Sequence, residues 1–160
     1  MQYTVFISHS SEDSLLVRFI ASQLQLYGIT PIVAEHVRPK TFPQYLPDKI
    51  KTLIQQSDCM VALLTKNGVA SNWVHQEIGY ALEKKPLIPI AESDISSESL
   101  GFLQGAEYIP LYWGDIGHSV SQIVSWTTYL KTEKEKSENL KGLAIVILGG
   151  LFLWGLSQQK

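Results

Sequence analysis

The stretch that most constrains the fold is Cys59-Met60-Val61-Ala62-Leu63-Leu64, six apolar residues without a polar interruption. A strand with one wet face alternates polar with apolar. A short run that is apolar throughout reads as a strand covered on both sides, and that burial is the mark of a parallel sheet flanked by helices. The sequence around it supplies the required alternation. Tyr3 to Ser8 and Pro31 to Ala34 read as strands before it, and Leu87 to Ala91 and Tyr108 to Tyr112 as strands after it. Pro89 argues for interrupted pairing in the fourth strand, and the fifth reads as an edge.

Helical signals fill the gaps. Ser10-Ser11-Glu12-Asp13 reads as a capping box, with Ser10 as N-cap and the Asp13 carboxylate three residues on. Leu15, Leu16, Phe19, Ile20, Leu24 and Tyr27 then recur at helical spacing until Gly28, a residue suited to the position just past a helix end. Glu35 to Tyr45, with Pro39 and Pro43, is a long loop. Pro47 opens a helix carrying Ile50, Leu53 and Ile54, and Ser71 caps another. Ser93 to Gln104 reads as loop or broken helix. Ile116, Val120, Ile123, Val124, Thr127 and Leu130 form the stripe of a last helix. Five strand–helix alternations imply an α/β, flavodoxin-like, doubly wound parallel sheet in the order 2-1-3-4-5.

In that order the first and third strands are neighbours at the switch point, where open α/β sheets bind ligands. The loop at Ser8-His9-Ser10-Ser11, the loop after the second strand and the Ser71 helix converge there. Trp73 and Glu77, four residues apart, project from one face of that helix and could hold a flat, cationic, hydroxyl-rich molecule. The plainer reading has Trp73 packed on the sheet and Glu77 solvated. His75 lies about 200° round the helix from Glu77 and faces elsewhere. Tyr80 reads as packing, and Ser10 and Asp13 as a cap and nothing more. Glu35 is open between a pocket residue and an exposed loop carboxylate.

Composition excludes several classes. A formal charge of −2, with no basic cluster among aromatics, offers nucleic acid no field. The single Cys59 excludes a disulfide framework and a cysteine-rich metal site, so no metal is expected, and it fits a reducing cytosol. The first residues lack the basic and apolar regions of a signal peptide.

The motifs carry a resemblance. Val5-Phe6-Ile7-Ser8-His9-Ser10-Ser11-Glu12-Asp13 is similar to the opening box of Toll/interleukin-1 receptor (TIR) domains. Val33-Ala34-Glu35 and the proline-containing loop to Phe42 resemble the second box. Trp73-Val74-His75-Gln76-Glu77, followed by Pro86 to Ile90, resembles the enzymatic branch of that family. The likeness runs from about Tyr3 to Leu130. It implies an NAD⁺ nucleosidase in which Glu77 is the catalytic residue and Trp73, Ser8, His9, Glu35, Arg38 and Lys40 contact substrate. NAD⁺ is then substrate, and no cofactor is implied. The products are nicotinamide and ADP-ribose, or a cyclised or modified ADP-ribose signal, in an immune or antiviral defence setting. Self-association through the Glu35 to Phe42 loop is part of the same expectation. Two departures stand out: Pro39 is followed by Lys40 and Thr41 in place of a glycine, and the Ser8 loop lacks an arginine. The alternatives are a non-catalytic TIR–TIR assembly module and a tail-driven membrane effector.

The far end differs in composition. Residues 1–130 read as the domain, 131–141 as a charged, solvated connector, and 142–156 as an uncharged apolar run. That run is expected to be a single-pass C-terminal membrane helix with the domain in the cytoplasm. Its length opposes this, because fifteen residues cover only about 22 Å of helix against a hydrocarbon core of about 30 Å. The alternative is an apolar helix buried against the domain or in an oligomer.

Overall fold

The computed structural model describes residues 2–34, 41 and 43–136, with Phe102 by its backbone only. Five parallel strands, β1 (Tyr3–Ser8), β2 (Ile29–Ile32), β3 (Cys59–Leu64), β4 (Leu87–Glu92) and β5 (Ile109–Leu111), form one sheet in the order β2-β1-β3-β4-β5. The order is the one expected. The helices are α1 (Ser14–Leu26), α2 (Asp48–Gln56), α3 (Lys66–Val69), α4 (Asn72–Ala81) and α5 (Ile116–Lys136).

Every residue of β3 is buried, as its unbroken apolar run requires. The two cores it separates follow the alternation of side chains along each strand. Val5, Ile7, Val61 and Leu63 face α1 and α5, while Phe6, Met60, Ala62 and Leu64 face α2 and α4. Prolines occupy both edge strands, Pro31 in β2 and Pro110 in β5, where a missing N–H is tolerated and further pairing is discouraged.

Several expectations need correction. β2 begins and ends two residues earlier than the apolar pattern suggested. Pro89 does not interrupt β4, which pairs with β3 from Leu87 to Ala91. The Met60 amide bonds Pro86 O, so the ladder's alternation turns residues 88 and 90 toward β3 and Pro89 toward β5. Pairing with β5 starts only at Ile90, so Pro89 removes no bond from the ladder. In α1 the buried face is Leu16, Val17, Ile20 and Leu24, while Leu15, Phe19 and Tyr27 are exposed. The helix therefore carries apolar residues outside its core stripe. Gly28 does end α1, at φ +68°, with its amide bonded to Gln25 O. Ser97–Leu103 is a 3-10 segment broken at Gly101, where φ is +57°.

The connector expected from residue 131 is still helix as far as Lys136. Lys131 reaches Tyr27 O and Gly28 O, each at 3.4 Å, and Lys134 forms an ion pair with Asp58. Asp58 Oδ2 in turn accepts from the Thr4 amide at 2.7 Å and the Thr4 hydroxyl at 3.1 Å. A charge run that reads as solvated is thus anchored to the amino-terminal edge of the sheet. The apolar run 142–156 lies outside the described residues. Among the described residues no helix is long and apolar enough to cross a membrane.

Candidate active site

The site is built where β1 and β3 end side by side. β1 delivers Ser8 and His9 into the interior, both fully buried. The chain leaving β3 turns through α3 into α4. Ser71 caps α4 as expected, its hydroxyl accepting from the Val74 amide at 3.4 Å. The cap sets the phase of the helix. Val74, Ile78 and Ala81 then pack on the sheet, and Glu77 is carried inward with them.

Glu77 is 0 % exposed, and Ser8 Oγ donates to its Oε2 at 2.6 Å. At this distance the hydroxyl and the carboxyl oxygen form a close hydrogen bond. It joins residues sixty-nine positions apart. The solvated reading of Glu77 is therefore excluded. Trp73 is half-buried and packs against the α2/α4 core. The packing reading of Trp73 thus holds, and its i, i+4 placement beside Glu77 holds with it. His9 Nδ1 lies 2.9 Å from Ile7 O, a contact that orients the ring.

Glu35, Arg38 and Lys40 lie outside the described residues. The two stems of their loop are fixed. Ala34 is buried in the α2/α4 core, and Gln44 O accepts from Gln76 Nε2 at 3.3 Å. The loop thus returns against α4 one residue before Glu77. His75 points away from the site, as expected: its Nε2 contacts Val69 O at 2.7 Å, and its Nδ1 fills the space where a Cβ at Gly101 would stand. Tyr80 takes a hydrogen bond from Gln55 and receives Lys84 over its ring, a packing role.

Asp13 is more than a cap. Ser10 caps the 3-10 turn Ser11–Asp13 by accepting from the Glu12 amide. The Asp13 carboxylate instead crosses to the β3–α3 turn, accepting from Thr65 Oγ1 at 2.6 Å and Asn67 Nδ2 at 3.1 Å. Thr65 Oγ1 also accepts from the Gly68 amide at 2.9 Å. A Cβ at Gly68 would stand 2.0 Å from Leu63 O, so only glycine closes this turn. Thr65 with glycine three residues on was the available signal, a cap with a tight turn behind it.

A second feature of the carboxyl edge was also not foreseen. A cleft of about 840 Å³ lies beyond β4 and β5, lined by Glu92, Asp94, Asp115, Lys66, Tyr112 and Trp113. Lys66 Nζ and Asp94 Oδ2 pair there at 2.9 Å; the bond lowers the Asp94 pKa and raises that of Lys66. Among the described residues no group of three or more His, Cys, Asp or Glu is placed to hold a metal ion.

Comparison with known proteins decides the family. The model of the TIR domain matches residues 5–124. The chain belongs to the TIR domain family. A putative cyclic ADP-D-ribose synthase, TIR2, of Cytobacillus dafuensis is 28 % identical over 134 residues, 80 % of this chain and 32 % of that protein. The chain thus spans about a third of that relative's length. Among solved structures, the TIR domains of the activated Roq1 resistosome recognising the effector XopQ superpose with TM-score 0.61 at 18 % identity. That match covers 78 % of this chain and 98 % of the other. A prokaryotic SEFIR domain superposes with TM-score 0.56 at 15 % identity, covering 78 % and 97 %. These two likenesses concern the fold. The family match ends at residue 124, twelve residues before α5 does.

Proposed function

We propose that this TIR domain cleaves NAD⁺ between nicotinamide and ribose, with Glu77 as the catalytic carboxylate. One observation carries the reading: a fully buried glutamate at the β1/β3 switch point, bonded to Ser8 of the neighbouring strand. The similarity to a putative cyclic ADP-D-ribose synthase agrees with it.

The chemistry suits one carboxylate. Ordinary glycoside hydrolysis needs a second carboxyl to protonate the departing oxygen. Nicotinamide in NAD⁺ is already cationic and departs neutral, so that acid is dispensable. Glu77 then faces the positive charge that develops on the ribose, an electrostatic role with large leverage in a site closed to water. Ser8 holds the carboxylate oxygen in place. Trp73 offers a face for the nicotinamide or ribose. His9, Glu35, Arg38 and Lys40 complete the contacts, the two cations meeting the phosphates. The departing group's place is taken by water, giving ADP-ribose, or by a nucleophile of the same molecule, giving a cyclic product.

Glu77 is sealed from solvent in the single chain, as suits an enzyme switched on by assembly through its 35–42 loop. The same burial also favours a second reading, in which Glu77 only joins α4 to β1 in an assembly module. Incubating purified protein with NAD⁺ at rising protein concentration separates the two. Nicotinamide release that climbs more steeply than concentration supports the assembled enzyme. No release at any concentration, from protein shown to be oligomeric, leaves the assembly module.

A further inference from the structure

We propose that Asp13 and Glu92 are positioning residues for Glu77, acting together through the short helix α3. β1 and β4 are the two neighbours of β3 in the sheet, and the chain at the carboxyl end of each holds one buried carboxyl against the turn that leaves β3. Asp13, on the turn after β1, accepts from Thr65 Oγ1 at 2.6 Å and Asn67 Nδ2 at 3.1 Å. Glu92, the last residue of β4, accepts from the Lys66 amide at 3.2 Å on the other flank. Among the described residues neither carboxyl forms an ion pair, so the donors of this turn are what offset its burial. The hold is mutual. A four-residue helix is a single turn that does not sustain itself, and α3 depends on what its neighbours supply.

α3 passes that hold on to α4. The amide of Ser71, the α4 cap, bonds Gly68 O at 3.1 Å, and His75 Nε2 donates to Val69 O at 2.7 Å. The first contact fixes where α4 begins, and the second holds its first turn. His75 and Glu77 lie about 200° apart round the helix. α4 is therefore gripped on two faces, by α3 through His75 and by β1 through the bond from Ser8 to Glu77. Neither Asp13 nor Glu92 is hydrogen-bonded to Ser8 or Glu77, so both act on where Glu77 stands and not on the reacting atoms. The leverage is geometric: a displacement of about 1 Å at a reacting group can cost about a hundredfold in rate. The effect on rate rests on the proposed function; the effect on α4 rests on the bonds alone.

The test pairs amide hydrogen exchange of the full chain, read by mass spectrometry, with nicotinamide release by the same protein. Asp13→Ala should speed exchange of the α4 amides about tenfold, while α5, across the sheet, keeps wild-type rates. It should lower kcat about tenfold, with KM within about twofold of wild type. Asp13→Asn keeps one acceptor and should lie between Asp13→Ala and wild type in both readings. Unchanged α4 exchange in folded Asp13→Ala overturns the proposal. So does an equal rise in α4 and α5, which marks a purely stabilising role, or an unchanged kcat in an enzyme whose wild type is active. Where Asp13→Ala does not fold, Asn67→Ala, at an exposed position, decides by the same readings. Wild type that releases no nicotinamide ends the proposed reaction, and the exchange pattern then decides alone whether Asp13 positions α4.

Discussion

The two ends of β1 each hold a carboxylate largely out of water, by different means. At the amino end Asp58 is answered by the Thr4 amide, the Thr4 hydroxyl and the ammonium of Lys134. At the carboxyl end Glu77 receives the hydroxyl of Ser8 and is completely enclosed. The first arrangement neutralises a charge where α5 docks and serves stability. The second encloses a carboxylate at the carboxyl end of β1, where the proposed reaction places its catalytic residue. Burial of an acid is therefore not in itself a sign of chemistry. Its partners and its place in the topology decide.

The sharpest way to break this comparison is at Glu77. Glu77→Gln keeps the shape and an acceptor for Ser8 but removes the charge, so nicotinamide release should fall about a hundredfold or more. Urea unfolding should show the variant folded. Equal turnover by Glu77→Gln and wild type would end the catalytic assignment. Asp58→Ala should do the reverse. It strands Lys134 and the Thr4 amide, at a cost of about 2 kcal/mol in urea unfolding, while activity per folded molecule stays unchanged. A smaller effect is expected of Ser8→Ala, which removes one bond to the carboxylate: about 1 kcal/mol, with kcat reduced more than KM. If KM alone rises, Ser8 touches substrate and does not position Glu77.

The amino end can also be tested at high pH. Burial raises the Cys59 pKa from 9.0 to about 12 and raises that of Tyr3 as well. The unfolded chain releases these protons first, so the stability they contribute is whole below pH 9 and is lost as pH climbs toward 12. Lys85 works the other way below pH 10.5, because burial lowers its pKa. Urea midpoints measured from pH 8 upward should fall, and Cys59→Ala should flatten the fall. An unchanged slope in that variant would show that Cys59 does not carry it.

The strand order, the Ser71 cap and the pairing of Trp73 with Glu77 on one helix face were legible in the sequence because each follows from a local pattern. Periodicity marks elements, and a doubly wound order then brings the ends of β1 and β3 together. What escaped was tertiary. Asp13 fits a capping box in sequence, yet Thr65 and Asn67, more than fifty residues away, claim its carboxylate. Lys134 sits in a run of alternating charges that looks solvated, and only the packing of α5 brings Asp58 to it. Phe19 and Tyr27 match a helical repeat, but a thirteen-residue helix on a sheet buries only one stripe. Glu77 stood out in the sequence, but its enclosure did not, since that depends on how α4 packs on the sheet and on Ser8, sixty-nine positions away.

The Asp58 clamp has a mechanical consequence. β1 is a six-residue rod about 20 Å long. One of its ends is bolted through Thr4 and Asp58 to the last turns of α5, and the other bears the hydroxyl that grips Glu77. Force applied to the chain beyond Lys136 is delivered along α5 to the foot of that rod. A load on the tail and a load on the carboxylate are therefore borne by the same strand.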